Sequence, residues 1–180
     1  MRTVSPIRSD ARLVPPGSWT IDPAASSIVF TVRNFGRRIR GHFGAVHGTL
    51  GGEPLAVASV AVASVETGIA RRDAHLKSPD FFDAERYPEL TLVAYRAMPQ
   101  PDGGFKVDAA LSIKGDTHPL ALEVERHGLD GDRFSFTATG RLHRYEFGVK
   151  APQWVLEAGG VVIGREIGLE LELVANRSGL

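Results

Sequence analysis

Cysteine is absent from all 180 residues. That excludes disulfides, thiolate nucleophiles and cysteine-bound zinc. It leaves the redox compartment open, because a protein without thiols is indifferent to it. A surplus of either charge is missing too: 21 Lys plus Arg stand against 21 Asp plus Glu. A dedicated nucleic-acid binder would carry a basic excess, so no nucleic-acid partner is expected. No run approaches the roughly 20 apolar residues that a membrane-crossing helix needs. The first residues lack the apolar centre of a secretory signal, and Arg8, Asp10 and Arg12 interrupt every candidate run. A soluble, cytoplasmic protein is the expectation.

The usual signatures of catalysis are also missing. There is no G-x-S-x-G elbow, no H-E-x-x-H pair and no glycine loop leading into a helix to cradle phosphate. His42 and His47 stand five apart in strand-like sequence, which puts them on opposite faces. His75 lies two residues from Asp73, and its ring reads as a polar anchor for a carboxylate or a backbone carbonyl. Ser26, Ser64 or Ser78 could meet His75 and Asp73 only through folding that the sequence does not specify. No catalytic residue, metal site or cofactor is expected, and the chain reads as a non-enzyme. Arg37-Arg38 and Arg71-Arg72 read as solvated surface charge, with contact to an anionic head group as the alternative.

What is present is alternation with period two. Ile28, Phe30 and Val32 share one face. So do Phe105, Val107, Ala109, Leu111 and Ile113, then Phe134, Phe136 and Ala138, then Ile167, Leu169, Leu171 and Leu173. Polar residues occupy the other face of each run, as in half-buried strands. Leu55 to Val65 and Leu90 to Met98 alternate less cleanly. Gly51-Gly52, Pro101-Asp102-Gly103-Gly104, Lys114-Gly115 and Gly128-Leu129-Asp130-Gly131 supply turns. Short connections make neighbouring strands antiparallel. About eight such strands give an all-β, antiparallel β-barrel or sandwich. An eight-stranded barrel is either filled by its own side chains or holds one small ligand. Ala109, Ala138 and Gly140 on the inward faces lean toward a hollow. Residues 1–17 read as a flexible lead-in, 18–176 as one domain and 177–180 as a tail. An edge strand offers a route to a homodimer.

The alternation stops at residues 68–88, a short helical and aromatic insertion. Ser78 there reads as an N-cap with Pro79 in the first helical position. Phe81 and Phe82 are adjacent and cannot share one face, so one is expected in the core and the other against a loop. Arg72 is expected to pair with Asp73 or Asp83. The segment is either a plug for one end of the barrel or the gate for a ligand.

Several motifs occur in order: Trp19-x-x-Asp22-Pro23-x-x-Ser26, Gly41-x-Phe43, Ser64-Val65-x-Thr67, Arg72-Asp73-x-His75-Leu76, Phe81-Phe82-Asp83, Tyr87-Pro88, Lys114-Gly115-x-Thr117 and Arg144-x-x-Phe147-Gly148. In these the chain resembles the YceI-like polyisoprenoid-binding proteins over residues 18–175. Two positions depart from that family's pattern: Ala25 and Asn34 stand where it usually has histidine. The resemblance implies an extended, lipocalin-like eight-stranded barrel that holds a polyisoprenoid, a quinone or another long amphipathic lipid. The inward residues Ile28, Phe30, Val32, Phe105, Val107, Leu111, Phe134, Phe136, Leu169 and Leu171 are then candidates to touch it. Phe43, Phe81 and Phe82 are candidates at its mouth. Plain core packing is the competing reading for each.

Overall fold

The computed structural model describes residues 12–34, 36–149 and 163–179. Ten strands form one antiparallel sheet: β1 (Trp19–Ile21), β2 (Ser27–Asn34), β3 (Arg37–Phe43), β4 (His47–Leu50), β5 (Ala56–Ala61), β6 (Glu89–Pro99), β7 (Phe105–Ile113), β8 (Asp116–Asp130), β9 (Arg133–His143) and β10 (Ile163–Arg177). A single turn of 3-10 helix (Val62–Ser64) and one helix, α1 (Ala70–Lys77), separate β5 from β6.

Strand order explains the closure. The sheet runs β1-β4-β5-β6-β7-β8-β9-β10, and β1 pairs again with β10, so eight strands make a closed ring. β1 and β2 take successive stretches of one β10 edge. Trp19 to Ile21 pair with Arg177 to Ala175, and Ser27 to Val32 pair with Glu172 to Ile167. The β2–β3 hairpin therefore raises one part of the wall above the ring.

Asp22 makes the corner between β1 and β2. Its carboxylate accepts from the backbone N–H groups of Ala24 (3.1 Å) and Ala25 (3.3 Å), and from the Arg133 guanidinium (3.1 Å). Local desolvation pushes its pKa up, but the bonds from Ala24, Asn176, Arg133 and Ala25 outweigh it and hold the carboxyl below its usual value. A carboxyl depressed in the folded state stabilises above its unfolded pKa, and that contribution fades as the pH falls through the folded value. The expected result is a steeper acid loss of melting temperature for the parent than for Asp22→Asn, read by thermal scans between neutral and acid pH.

The β7–β8 turn shows why its sequence is Lys114-Gly115. Both residues have positive φ, 53° and 79°, as a tight two-residue hairpin requires. A side chain on Gly115 would also run into the Tyr87 ring at 2.9 Å, so the glycine lets the insertion lie against this turn. Lys114 Nζ donates to the Pro79 carbonyl at 3.0 Å and ties the two together.

One end of the barrel is packed solid. Trp19 and Ala175 are wholly buried there, with Phe134 edge-on to Trp19 at 4.8 Å and stacked on Phe136 at 5.8 Å. The strap before β1 closes this end. Leu13 and Val14 are buried, and Trp19 Nε1–H donates to the Pro15 carbonyl at 2.9 Å. The expected flexible lead-in thus does not extend to Gly17: Leu13, Val14 and Pro15 within it are buried. Nor does the tail begin at residue 177, because Arg177 ends β10, bonds Asp132 through its Nε–H at 2.7 Å and lies over the Trp19 ring at 4.4 Å.

Candidate functional site

The other half of the barrel is not filled. A cavity of about 610 Å³ lies between the inward faces of β2, β3, β5, β6, β7, β8, β9 and β10 and the insertion. That is within the roughly 300–1,000 Å³ of small-molecule sites. Its wall is almost entirely aliphatic and aromatic.

Nine of the sequence-predicted residues line this hollow: Ile28, Phe30, Val32, Phe43, Phe81, Phe82, Leu111, Leu169 and Leu171. Phe105, Val107, Phe134 and Phe136 do not. They are buried in the core with Leu13, Val14 and Trp19 and do not border the hollow. The small residues also act differently from expectation. Ala109 and Ala138 belong to the packed core, and a side chain at Gly140 would strike Leu122 Cδ2 at 2.7 Å. Small inward residues make room for large neighbours there, and the empty space is lined by leucine, isoleucine and phenylalanine.

Alternation missed part of the lining. Ile39, Val46, Leu90, Leu92 and Leu142 are strand or loop residues whose phase is weak or unassigned in the sequence, whereas Leu120 belongs to a clean run with Leu122 and Val124. Arg144 and Phe147 also line it. Their motif, Arg144-x-x-Phe147-Gly148, was the only signal that pointed to them.

Phe30 and Gly41 are register partners on β2 and β3. A Cβ at Gly41 would collide with the Phe30 ring and with Thr67 Cγ2, so glycine there allows the ring to lie across β3. Phe30 then meets Phe43 at 5.5 Å, and Phe43 meets Phe82 at 6.1 Å. Phe81 is the more buried of the two adjacent phenylalanines, with His75 edge-on at 4.9 Å. Phe82 thus faces the β3 aromatic Phe43, not a loop, and both rings reach the hollow.

The insertion is held by a clip unlike the expected ion pair. Asp73, in the first turn of α1, accepts from Thr67 N–H (2.9 Å) and from Thr67 Oγ1–H (2.5 Å). Arg72 does not pair with Asp73 or Asp83 among the described residues. It donates from Nε to Thr67 Oγ1 at 2.7 Å and from its terminal nitrogen to the Thr67 carbonyl at 2.8 Å. Thr67 is the hub, which accounts for the Thr67 and Arg72-Asp73 motifs together. Ser78 ends α1 and does not start a helix: its hydroxyl donates to the His75 carbonyl at 2.6 Å. His75 Nε2 stands 3.7 Å from the Asp80 carboxylate. Asp73→Ala should cost about 1–2 kcal/mol, the scale of a lost helix-start bond. Amide exchange in α1 should accelerate while the β7–β9 amides stay protected.

Arg144 is 3% exposed. Its guanidinium donates to the Gly164 carbonyl (3.1 Å), the Val149 carbonyl (3.2 Å) and the Tyr145 hydroxyl (3.2 Å). Desolvation lowers its pKa, opposed by Tyr145 and reinforced by Arg165. An arginine so lowered still stays charged at neutral pH. Its bonds pin the turn after β9 to β10 beside the hollow. Among the described residues no group of three or more His, Asp or Glu could hold a metal ion. His42 meets Glu66 at 3.0 Å, away from His47 on β4.

Comparison with known proteins agrees with this architecture. The YceI-like domain family matches residues 19–175. A UPF0312 protein of Staphylococcus aureus strain USA300 is 30% identical over 166 residues, 85% of this chain and 94% of that protein. Two solved structures share the fold. BcnA of Burkholderia cenocepacia has a TM-score of 0.73 at 21% identity, covering 86% of this chain and 98% of that one. A polyisoprenoid binding domain from Saccharophagus degradans, implicated in plant cell wall breakdown, has a TM-score of 0.76 at 16% identity, covering 89% and 98%.

Proposed function

Because the chain belongs to the YceI-like domain family, we propose that it is a lipid-binding barrel that holds one long apolar chain, polyisoprenoid or quinone-like, in its half-open hollow. The observation that carries this reading is the 610 Å³ apolar space beside a fully packed end. A core built only for stability would close such a space, since unfilled volume costs stability. The name of the Saccharophagus degradans domain supports the choice of ligand class.

A hydrocarbon tail offers no charge and few hydrogen-bonding groups. Its removal from water contributes about 0.8 kcal/mol per CH2-sized unit before ordering costs. A preformed hollow reduces those costs. Most of the polar groups on the wall, Thr67, Arg71, Arg72 and His75, come from one short segment. An amphipathic ligand would place its polar head there and its tail toward Leu120 and Leu171. The role is storage or carriage without chemistry, in the cytoplasm, where cell fractionation would find the protein.

The experiment is native mass spectrometry of the purified protein, with organic extraction of what it carries. The expected result is a bound mass in the lipid range that extraction removes. A protein with no such mass, and no uptake of added polyprenol, would overturn the reading.

A further inference from the structure

We infer that the β2–β3 hairpin and Ile69 seat the open side of the hollow on an anionic lipid bilayer; the inference rests on the lipid-binding reading and names where the ligand is exchanged. The hairpin, Ser27–Phe43, carries Arg33, Arg37, Arg38 and Arg40 and no acidic residue. Arg40 is paired with Glu170 at 3.5 Å. Among the described residues Arg33, Arg37 and Arg38 are exposed and make no ion pair. Glu166, on the same outer surface, is engaged by Arg141 at 3.6 Å. Arg33 lies directly opposite Arg38 in the ladder. Like charges so placed repel, and an anionic surface relieves that repulsion.

Among the described residues the outer edge of β3 is paired only at His42, which exchanges two 2.9 Å backbone bonds with Glu66. From there toward Arg37 no described strand pairs with it. Ile39 of β3 and the start of α1 line the hollow together. Ile69 lines the hollow and is nonetheless 53% exposed. Arg71, beside it, is exposed and also lines the hollow. An exposed apolar side chain with Arg71 two residues on, tied through the His42–Glu66 bridge to a hairpin that carries three exposed arginines, has the chemistry of an interfacial anchor: the cations meet lipid phosphates and the isoleucine enters the acyl boundary. The hollow then faces the phase in which its ligand dissolves.

The test is flotation of the full chain with vesicles of phosphatidylcholine alone, or with a third of the lipid replaced by phosphatidylglycerol. Binding is expected only with the anionic vesicles, and it should fall as salt is raised. The variant R33Q/R37Q/R38Q should bind about a hundredfold more weakly, on the scale expected for three arginines near such a surface. Its melting temperature should not fall, since opposed charges are removed. I69S should weaken binding at unchanged salt dependence. The variant R96Q/R126Q removes cations from β6 and β8, away from the hairpin, and should bind as the parent does. Equal binding to both vesicles, no binding, or full binding by R33Q/R37Q/R38Q would overturn the inference. So would a dimer in sedimentation that this variant splits, which would assign the edge to a second copy. Uptake of a fluorescent polyprenol in vesicle-free buffer reports on the lipid-binding reading separately: intact uptake with failed flotation removes the docking alone.

Discussion

Phe136→Asp is expected to unfold the protein at temperatures where the parent is stable. The side chain is 6% exposed and stacks on Phe134 at 5.8 Å, within an end that Trp19, Leu13 and Val14 leave no room to rearrange. Two losses add. Removing a buried phenylalanine costs about 3–5 kcal/mol through lost transfer and cavity energy. An unpaired carboxyl in its place costs about 2 kcal/mol or more, whether it stays ionised or takes up a proton. The sum rivals the roughly 5–15 kcal/mol by which whole domains are stable. Urea denaturation followed by tryptophan fluorescence measures it, because Trp19 reports on this end. A midpoint equal to that of the parent would show that β9 does not pack as described.

The same exchange in the other half should have the opposite profile. Leu169→Asp sits mid-strand on β10, opposite Phe30, on the wall of the hollow. Water can enter an open 610 Å³ space and solvate the carboxylate, so the empty protein should lose far less stability than Phe136→Asp does. A hydrocarbon that fills the space must strip that water away. The penalty of about 3 kcal/mol or more for an unpaired polar group corresponds to roughly a hundredfold weaker binding. Equilibrium uptake of a polyprenol by parent and variant measures it. Together the two substitutions separate the end that stabilises from the end that binds.

The strands were legible because alternation reports which residues face inward, as it does in the runs that start at Ile28, Phe105, Phe134 and Ile167. It does not report what occupies the axis at each level. Phe105, Val107, Phe134 and Phe136 have the same pattern as Leu111, Leu169 and Leu171, yet the first four are sealed in. Beside them lies Trp19, held by the Pro15 carbonyl, in a strap whose proline, glycine and charge read as loose chain. The insertion was misread for a related reason. Ser78-Pro79 carries the local chemistry of a helix start, but the preceding turn already satisfies that serine through His75. Arg72 was assigned to a carboxylate because charges attract over distance. In the fold a threonine hydroxyl and carbonyl lie closer.

The ring closes through β10, the last strand, which pairs with β9, β2 and β1 at once. A chain emerging from the ribosome can therefore form the β4–β9 meander early, but the compartment itself does not exist until residues 163–177 arrive. Until then the greasy inner surface is an open sheet, exposed to other nascent chains. The seam also leaves Ser18 and Ser178 joined by a 2.9 Å backbone bond. A linker from Ser178 back to Arg12 would keep the Leu13–Pro15 strap in the chain; with new termini cut at Gly103, the closing strand is then made before the meander is complete.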